Sequence, residues 1–401
     1  MKTVAVISEY NPFHKGHAHQ LQRIREDFGE DTAIIAIMSG NFVQRGTPAV
    51  LGKFDRARMA VECGVSLVLE LPFPFSLASA EYFAAAGVSI ANDLGTIDAL
   101  SFGSECGDAV RLLDAAEKMR SPMFENALRA RLSSKEEKNK GYPRLLSETF
   151  LSLYGEDAAS LFLPNNILAI SYISALKKLN SPIEPHAVLR HGTDESADTE
   201  GVFAGATYLR TLLFEEKREA ALSHIPAELH PLWREAFEKG LAPVSENALS
   251  PLLLAHLRTG SIPRETPAEC GGGVLRLLSR ASIEASDLYS LYASAATKKY
   301  TAARLRRATL FSYFGVTPAD IKGKPLYTQV LAMDEKGQKI LANIRKASQI
   351  SLLTKPADLH KLSPAARRQA ELSYRADSVY TLLSPTPQKA SIFLRTAPFR
   401  K

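Results

Sequence analysis

The chain has 401 residues, a formal net charge of +6 and a sequence pI near 9.0. Its 45% of hydrophobic and 23% of charged residues are typical of a globular protein with a large buried core, and its length favours two or three domains. The first twenty residues contain no apolar stretch that fits a signal peptide or a membrane span, so we expect a cytoplasmic protein without a membrane partner. The mild positive charge is compatible with a polyanionic partner without requiring one.

The cysteines exclude two other classes of protein. Cys63, Cys106 and Cys270 are odd in number and include no CxxC pair, which argues against a disulfide framework and against a structural zinc site. We interpret them as small buried residues.

The first two hundred residues alternate short apolar runs with longer segments of helical periodicity. Strands are predicted at 3–8 (TVAVIS), 32–38 (TAIIAIM), 65–72 (VSLVLELP), 98–103 (DALSFG) and 185–190 (PHAVLR). Helices are predicted at 18–28, 53–63, 78–94 and 165–179. This βαβ pattern predicts the α/β class with a doubly wound parallel sheet.

The character of the sequence changes near residue 215. Beyond it, strand-like runs disappear, and Leu, Ala, Arg and Glu dominate between prolines at positions 226, 231, 243, 251 and 263. Several helices with proline in or near the first turn explain this pattern. We therefore predict an α/β domain at 1–215 and a mainly helical domain at 216–401.

The first strand runs directly into the turn SEYNPFHKGH at 8–17. In an open α/β sheet the first βα turn is a favoured phosphate site, because the helix that follows presents unpaired N–H groups there. Gly16 would let the backbone approach a phosphate and Pro12 would stiffen the turn. His14 and His17 would aim ring N–H donors at the same anion, and neutral imidazoles can strengthen such bonds as charge develops on phosphate oxygens.

Two other interpretations of this turn have to be weighed. Histidines near a helix start can act as caps or as exposed surface residues, which is the common case for an isolated HxxH. A metal site is disfavoured because no third ligand lies within helical reach. The context of a strand, then NPFHKGH, then an amphipathic helix favours the phosphate site.

Several motifs carry a resemblance to a known family. They are HKGH at 14–17, which resembles the HxGH signature of nucleotidyltransferases, and the strings EYNPFHKGH, MSGNFVQRGTPAV (38–50), ELPFPFS (70–76), SFGSECGD (101–108) and PNNILAISYISALK (164–177). Together they resemble the tRNA(Met) cytidine acetate ligase family, over most of the first 210 residues and more diffusely beyond. The resemblance implies a Rossmann-like HxGH nucleotidyltransferase domain that uses ATP to activate acetate as acetyladenylate and acetylates N4 of the wobble cytidine of elongator tRNA(Met).

The resemblance also implies a set of ATP-binding residues. The first segment is Ile7, Ser8, Glu9, Tyr10, Asn11, Pro12, Phe13, His14, Lys15, Gly16, His17, Ala18, His19 and Gln20. Further contacts would come from Gly103, from Asn165 or Asn166, and from Arg190 and His191. From the residues alone, Gly103 also fits a simple strand-ending turn and the asparagine pair also fits a helix cap.

A further element of the family's site is similar to AGATYLR at 204–210. Thr207 and Arg210 match the family's phosphate-binding residues, whereas Gly205 stands where the family has a serine. A backbone N–H at Gly205 can replace only part of what that hydroxyl offers. Arg210 carries more weight, because a guanidinium can bind two phosphate oxygens at once.

The reaction implied by this site needs no protein nucleophile. No serine, cysteine or lysine with an adjacent base is apparent, so we expect in-line attack of acetate on the α-phosphorus, with His14, His17 and Arg210 as the catalytic residues. Mg²⁺ is expected to accompany ATP, although the sequence offers no acidic cluster as a metal site. The acetate or cytidine pocket is expected at Gly40, Asn41, Gln44 and Arg45.

The helical half contains a candidate RNA-binding segment, TKKYTAARLRRATLF at 297–311. It concentrates Lys298, Lys299, Arg304, Arg306 and Arg307 without an acidic residue. Such a cluster can follow RNA phosphates, with Tyr300 as a stacking face, or it can be an ordinary solvated helix face. No stable protein partner is predicted.

Two rival functions remain compatible with the residues. A cofactor-making adenylyltransferase shares the HxGH turn but would not need the long C-terminal half. A nucleotide-binding or RNA-binding protein that lost catalysis would account for Gly205. The absence of a KMSKS-like string argues against an aminoacyl-tRNA synthetase.

Overall fold

The computed structural model describes residues 1–137, 140–155, 161–190, 203–260 and 265–401. The strands are β1 Thr3–Ser8, β2 Ala33–Ser39, β3 Phe42–Val43, β4 Thr47–Pro48, β5 Leu67–Leu71, β6 Ala99–Ser104, β7 Glu184–Leu189, β8 Tyr327–Met333, β9 Ser351–Leu353 and β10 Phe399–Arg400. The helices of the first half are α1 Lys15–Phe28, α2 Lys53–Glu62, α3 Ala80–Asp93, α4 Ala109–Met119, α5 Pro122–Ser133, α6 Tyr142–Tyr154, α7 Pro164–Lys178 and α8 Ala206–Phe214. Those of the second half are α9 Arg218–Leu222, α10 His230–Glu238, α11 Ser250–Thr259, α12 Val274–Ser282, α13 Leu288–Ala295, α14 Ala302–Phe314, α15 Pro318–Lys322, α16 Glu335–Ala347, α17 Pro364–Tyr380 and α18 Ile392–Arg395.

One sheet organises the molecule, in the order β10-β8-β5-β2-β1-β6-β7, with β9 also paired to β8. The strands β5, β2, β1, β6 and β7 are mutually parallel, and all five coincide with the strands predicted from the sequence to within two residues at either end. Their carboxyl ends therefore lie along one edge of the sheet, where ligands bind in folds of this kind.

Side chains of the central strands alternate between two hydrophobic cores, as the strand period requires. Val4 and Val6 of β1 belong to one core, together with α1, α2 and the helices α8 to α14. Ala5 and Ile7 belong to the other core, together with α3, α4, α7 and α16. Both faces of the sheet are thus covered by helices, which confirms the predicted α/β class with a doubly wound sheet.

The prediction that strands stop near residue 215 is wrong. The strand β8 pairs antiparallel with β5, and β9 and β10 pair with β8, so the second half adds three strands to the same sheet. Thr328 and Gln329 interrupt the apolar pattern of β8 although both are buried, which hides this strand from a periodicity argument. Because the two halves share a sheet, the domain division at 215 stays a prediction.

Two smaller expectations concern the cysteines and the membrane. Cys63, Cys106 and Cys270 are free thiols, but only Cys270 is fully buried and the other two are half-buried. In the described part of the chain, no helix combines the length and the apolar character that crossing a lipid bilayer requires.

Candidate functional site: a cavity at the carboxyl ends of the parallel strands

A cavity of about 560 Å³ opens where β1, β6 and β7 end. Most of the residues singled out from the sequence line it. These are Ile7, Ser8, Glu9, Tyr10, Asn11, His14, Gly16, His17, His19, Gln20, Gly103, Asn165, Arg190, Thr207 and Arg210. The structure therefore brings together segments that are separated by up to two hundred positions in the sequence.

Five predicted residues lie outside the described lining: Pro12, Phe13, Lys15, Ala18 and Asn166. Phe13 is buried in the core against Tyr10, with 4.8 Å between the ring centroids. His191 lies outside the described residues. The predicted ATP-binding segment 7–20 is thus in part a packing segment.

The two histidines cap the first helix and at the same time face the cavity. His14 is the N-cap of α1, where its Nδ1 accepts a hydrogen bond from the backbone N–H of Gly16 at 3.1 Å. The backbone N–H of His14 in turn donates to Nδ1 of His17 at 3.2 Å. The capping interpretation and the ligand interpretation are therefore compatible, because each ring uses only one nitrogen for the cap.

This capping arrangement fixes the tautomer of both neutral rings. Since each Nδ1 accepts a hydrogen bond, the proton must reside on Nε2, which leaves one N–H donor on each ring. The ring centroids of His14 and His17 lie 3.8 Å apart with an interplanar angle of 32°. The ring of Tyr10 packs edge-on against His17 at 4.9 Å. Tyr10 also has a φ of 46°, a backbone conformation that is unusual for a bulky residue.

Burial and neighbouring cations keep both imidazoles neutral. Burial lowers the pKa of His14 from 6.5 to about 3, with further contributions from Arg190, Arg210 and His224. Burial, then His14 and Arg190, likewise lower the pKa of His17 well below 6.5. At neutral pH the pair offers hydrogen-bond donors rather than positive charges.

Arg210 and Thr207 occupy one side of the cavity. The guanidinium of Arg210 donates to the carbonyl O of Asn11 at 2.8 Å and to Oγ1 of Thr207 at 2.8 Å. Gly205 is the N-cap of α8 and makes no side-chain capping bond. Because Gly205, Ala206 and Thr207 all line the cavity, the free N–H groups of this helix start are available to an anion where the family serine is missing.

The opposite side is built by Arg190, Asn165 and Gly103. Arg190 donates to Oδ1 of Asn165 at 3.1 Å. A Cβ atom on Gly103 would lie 3.0 Å from Cγ of Arg190 and 3.1 Å from its Cδ. Gly103 therefore provides the space through which the arginine side chain passes along the strand end. Gly103 also lines the cavity, and its expected contact with a nucleotide stays a prediction.

The structure separates the roles of the two asparagines. Asn165 lines the cavity, whereas Asn166 is fully buried. Oδ1 of Asn166 accepts hydrogen bonds from the hydroxyl of Ser104 at 2.7 Å and from the backbone N–H of Glu105 at 2.9 Å. Asn166 thus fixes the loop after β6, and Asn165 is the one placed to meet a ligand.

The loop after β2 contributes Gln44 and Arg45 to the cavity, but not Gly40 or Asn41. The backbone N–H of Gln44 donates to Oε1 of Glu9 at 2.9 Å, so the end of β1 holds this loop. Among the charged residues that line the described cavity, Arg45, Arg190, Arg210 and Arg307 are cationic and Glu9 alone is anionic. This balance favours a polyanionic ligand.

A buried ionic cluster behind this loop was not foreseen from the sequence. Nζ of Lys53 lies 2.8 Å from Oε1 of Glu70 and 2.7 Å from Oδ2 of Asp377, and the three side chains are at most 5% exposed. Asn41 joins the cluster by donating to Oδ1 of Asp377 at 2.8 Å. We call Lys53, Glu70 and Asp377 the Lys53 cluster. Its members come from distant parts of the chain, which is why spacing in the sequence gives no sign of it.

The candidate RNA-binding segment is only partly exposed. Arg306 is paired with Glu246 at 2.8 Å, and Arg307 is buried against Glu269 at 2.8 Å. Tyr300 is 8% exposed. Tyr300 and Arg307 are therefore too buried to face solvent, whereas Arg306 is half-buried. A role of this segment in RNA binding stays a prediction.

Most of the apolar residues that line the cavity were also not identified from the sequence. They are Ala80, Phe83, Phe102, Pro143, Pro164, Ile167, Leu168, Tyr172, Val188, Leu189, Phe203, Ala204, Ala206 and Ala303. Phe102 and Val188 lie on β6 and β7, whose apolar pattern signals burial without showing which side chains meet a ligand. An apolar wall beside arginines and neutral donors suits a nucleotide, which has a flat base and an anionic tail.

Comparisons with known proteins agree with this geometry. The HIGH Nucleotidyl Transferase family model matches residues 1–392. The tRNA(Met) cytidine acetate ligase of Caldanaerobacter subterraneus is 33% identical over 389 residues, which cover 95% of each chain. The enzyme of the same name from Bacillus subtilis is 31% identical over 417 residues, covering 100% of this chain and 97% of that one. The crystal structure of Thermotoga maritima TmcAL bound with alpha-thio ATP matches over 100% of both chains, with a TM-score of 0.90 and 27% identity.

Proposed function

Because the chain belongs to the HIGH nucleotidyl transferase family, we propose that it activates acetate with ATP and acetylates N4 of the wobble cytidine of elongator tRNA(Met). The names of its relatives support this reaction. The observation that carries the proposal is the pair of neutral imidazoles, His14 and His17, which face a cavity lined with arginines at the carboxyl ends of the parallel strands.

In the first step a carboxylate oxygen of acetate attacks the α-phosphorus of ATP, and the bond from that phosphorus to the pyrophosphate oxygen breaks. Charge then develops on the oxygens of the α-phosphorus and on the leaving pyrophosphate. The Nε2–H donors of His14 and His17 and the guanidinium of Arg210 stabilise this charge without having to gain or lose a proton. Burial of the His14 ring excludes water that would otherwise compete for its hydrogen bond.

In the second step the N4 amine of the cytidine attacks the acetyl carbon, the bond to the adenylate oxygen breaks, and AMP and a proton leave. Gln44 and Arg45 are the residues of the predicted acetate or cytidine pocket that line the cavity. We assign them to that pocket. Full acetylation activity in an Arg45→Ala protein would contradict this assignment.

The magnesium ion expected with ATP stays a prediction. The described residues contain no group of three His, Cys, Asp or Glu side chains that could hold a metal ion. Mg²⁺ is commonly held by one or two carboxylates together with substrate phosphates, and Glu9 is the carboxylate in the described lining that fits such a role. The ion would neutralise phosphate charge. Acetate as the acyl donor, the cytoplasmic location and the lack of a stable protein partner also stay predictions.

Two assays test the proposed function. Acetate-dependent exchange of labelled pyrophosphate into ATP measures the first step, and transfer of labelled acetate to total bacterial tRNA measures both steps. We expect both activities, and the His14→Asn variant should lose about 10²- to 10³-fold of the exchange rate. Pyrophosphate release that requires a phosphorylated metabolite instead of acetate would favour an adenylyltransferase of cofactor synthesis. Absence of both activities would favour a non-catalytic protein.

A further inference from the structure

The helical half of the chain places Lys298, Lys299 and Arg304 close to the wall of the cavity. We propose that Lys298, Lys299 and Arg304 form an RNA-binding rim, which holds the phosphates of an anticodon stem and loop while one nucleotide enters the cavity. This inference rests on the proposed function and adds the surface that presents the RNA substrate.

The first argument is position. A Cβ atom on Gly141 would lie 3.3 Å from the carbonyl O of Lys298 and 3.5 Å from that of Lys299. Gly141 is the N-cap of α6, and Pro143 in the first turn of that helix lines the cavity. The two lysines therefore lie directly outside the cavity wall.

Arg304 also lies next to a residue of the cavity wall. It lies in the first turn of α14, next to Ala303, and Ala303 lines the cavity. One turn further along the same helix, Arg307 lines the cavity as well. The helix α14 thus contributes both to the rim, through Arg304, and to the cavity wall, through Ala303 and Arg307. RNA bound to the rim would therefore lie next to the entrance of the cavity.

The second argument is charge. Within the described ranges, Lys298, Lys299 and Arg304 form no ion pair, in contrast to Arg306 and Arg307, which are each paired with a glutamate. The cations of the rim are therefore available to neutralise the charge of a partner. Several cations without ion-pair partners beside a cavity that suits a nucleotide can bind successive phosphates of an RNA backbone.

Tyr300 holds two of these cations at the surface. Nζ of Lys299 lies 5.3 Å from the centroid of its ring, and the guanidinium of Arg304 lies 5.1 Å from it. The hydroxyl of Tyr300 donates to the carbonyl O of Gly272 at 2.6 Å, so the ring cannot turn outward to stack on a base. Cation–π contact of this kind orients the charged groups before RNA arrives.

A different aromatic residue is placed to stack on a base. Tyr142, the first residue of α6, is 50% exposed and is adjacent to Gly141, against which the two lysines pack. Aromatic stacking is how proteins commonly hold an unstacked base of a single-stranded loop. The cytosine that reacts at its N4 amine has to leave the stacked bases of the anticodon loop to reach the cavity. Tyr142 is placed to stack on the base next to it, which remains in the loop.

Neutralising the rim tests the proposal. In a rim variant, Lys298→Gln, Lys299→Gln and Arg304→Gln keep side chains of similar reach without charge. Binding of an isolated anticodon stem-loop of elongator tRNA(Met) is measured as a function of salt. Loss of three phosphate contacts should lower the magnitude of the slope of log K against log salt by about 2 to 3. Acetate-dependent pyrophosphate exchange should stay at the wild-type rate, because the rim touches neither ATP nor acetate.

A matched control neutralises three exposed cations on α16, with Lys339→Gln, Arg345→Gln and Lys346→Gln. This helix begins beside Ser66, at the amino ends of the parallel strands and thus at the opposite edge from the cavity. The control variant should bind the stem-loop like the wild type. A rim variant with the wild-type slope would overturn the proposal, and so would an equal loss in the control variant.

Tyr142 has a control of its own. Tyr142→Ala should weaken stem-loop binding by about 5- to 150-fold, the range measured for loss of one stacked base, and Tyr142→Phe should retain it. Tyr289 on α13 is 77% exposed and does not line the cavity, so Tyr289→Ala should have no effect. If the wild type catalyses no pyrophosphate exchange, the proposed function fails. If exchange proceeds while the rim variant binds the stem-loop normally, the rim alone fails.

Discussion

The neutrality of the two imidazoles makes a quantitative prediction about stability and pH. The pKa of His14 is lowered from 6.5 to about 3 by folding. Between these two values the unfolded chain binds a proton that the folded protein does not bind, so the free energy of unfolding decreases as the pH falls through this range. For a group of this kind the loss between about pH 7 and about pH 5 is about 2 kcal/mol. The figure depends on the unfolded pKa and not on the exact folded value.

His14→Asn removes this effect and keeps the helix cap, because Oδ1 of asparagine can accept from the backbone N–H of Gly16 as Nδ1 does now. The wild type should therefore lose about 2 kcal/mol more than the variant between the two pH values. Adding His17→Gln, which keeps a capping-box acceptor, should increase the difference further, because the pKa of His17 is also lowered in the folded protein.

Urea unfolding at both pH values measures these differences. Trp233 is the single tryptophan and is fully buried, so its fluorescence reports loss of the core. His360→Gln on the surface accounts for the general effect of replacing a histidine. If the wild type and His14→Asn lose the same stability, His14 is protonated in the folded protein, and the argument for neutral donors at the phosphates is refuted.

Three further predictions follow from close contacts. Arg210→Lys keeps the charge but not the two-pronged geometry, so pyrophosphate exchange should fall by about 10- to 100-fold. Lys53→Met leaves two buried carboxylates without their cation and should lower the free energy of unfolding by about 3–5 kcal/mol in urea titrations, whereas neutralising both carboxylates in the same protein should restore most of it. Gly337→Ala places a Cβ atom 1.8 Å from the carbonyl O of Ser66 and should cost about 1–3 kcal/mol or more by the same measurement. Gly271→Ala, which meets nothing within 4 Å, should be close to neutral.

The central sheet could be predicted from the sequence because its five parallel strands are buried on both faces. Such strands form continuous apolar runs, and the helices between them keep a clear period, so β1 matches the predicted range 3–8 residue for residue. The strand β8 could not be found in the same way. Thr328 and Gln329 are polar but buried, and Thr328 donates to the carbonyl O of Glu70 at 2.6 Å. Contacts of this kind, formed across 258 positions, leave no periodic trace in the sequence.

The candidate site also has a part that could be predicted from the sequence and a part that could not. That the turn at 8–17 lines a cavity could be predicted, because its residues are contiguous and the first βα turn is where a ligand cavity opens in folds of this kind, whereas its proposed contact with phosphate stays a prediction. The distinction between Asn165 and Asn166 could not be predicted, since it depends on which side of α7 faces the loop after β6. Nor could the pairing of Arg306 with Glu246, because ion pairs between separate helices are set by tertiary packing.

The Lys53 cluster ties the second half of the chain to the loop after β2, because Asp377 contacts both Lys53 and Asn41. Asp377 on α17 bonds to Asn41, and the backbone N–H of Lys53 donates to Oδ1 of Asn41 at 2.8 Å. Asn41 opens the loop that carries Gln44 and Arg45 into the cavity. Since the carboxylate of Asp377 is buried and paired, the loop has its observed position only when α17 is packed in place. A protein that ends before α17 should therefore lose the proposed acetate or cytidine pocket even if the turn at 8–17 folds, because the residue that anchors the loop of that pocket, Asp377, lies near the other end of the chain.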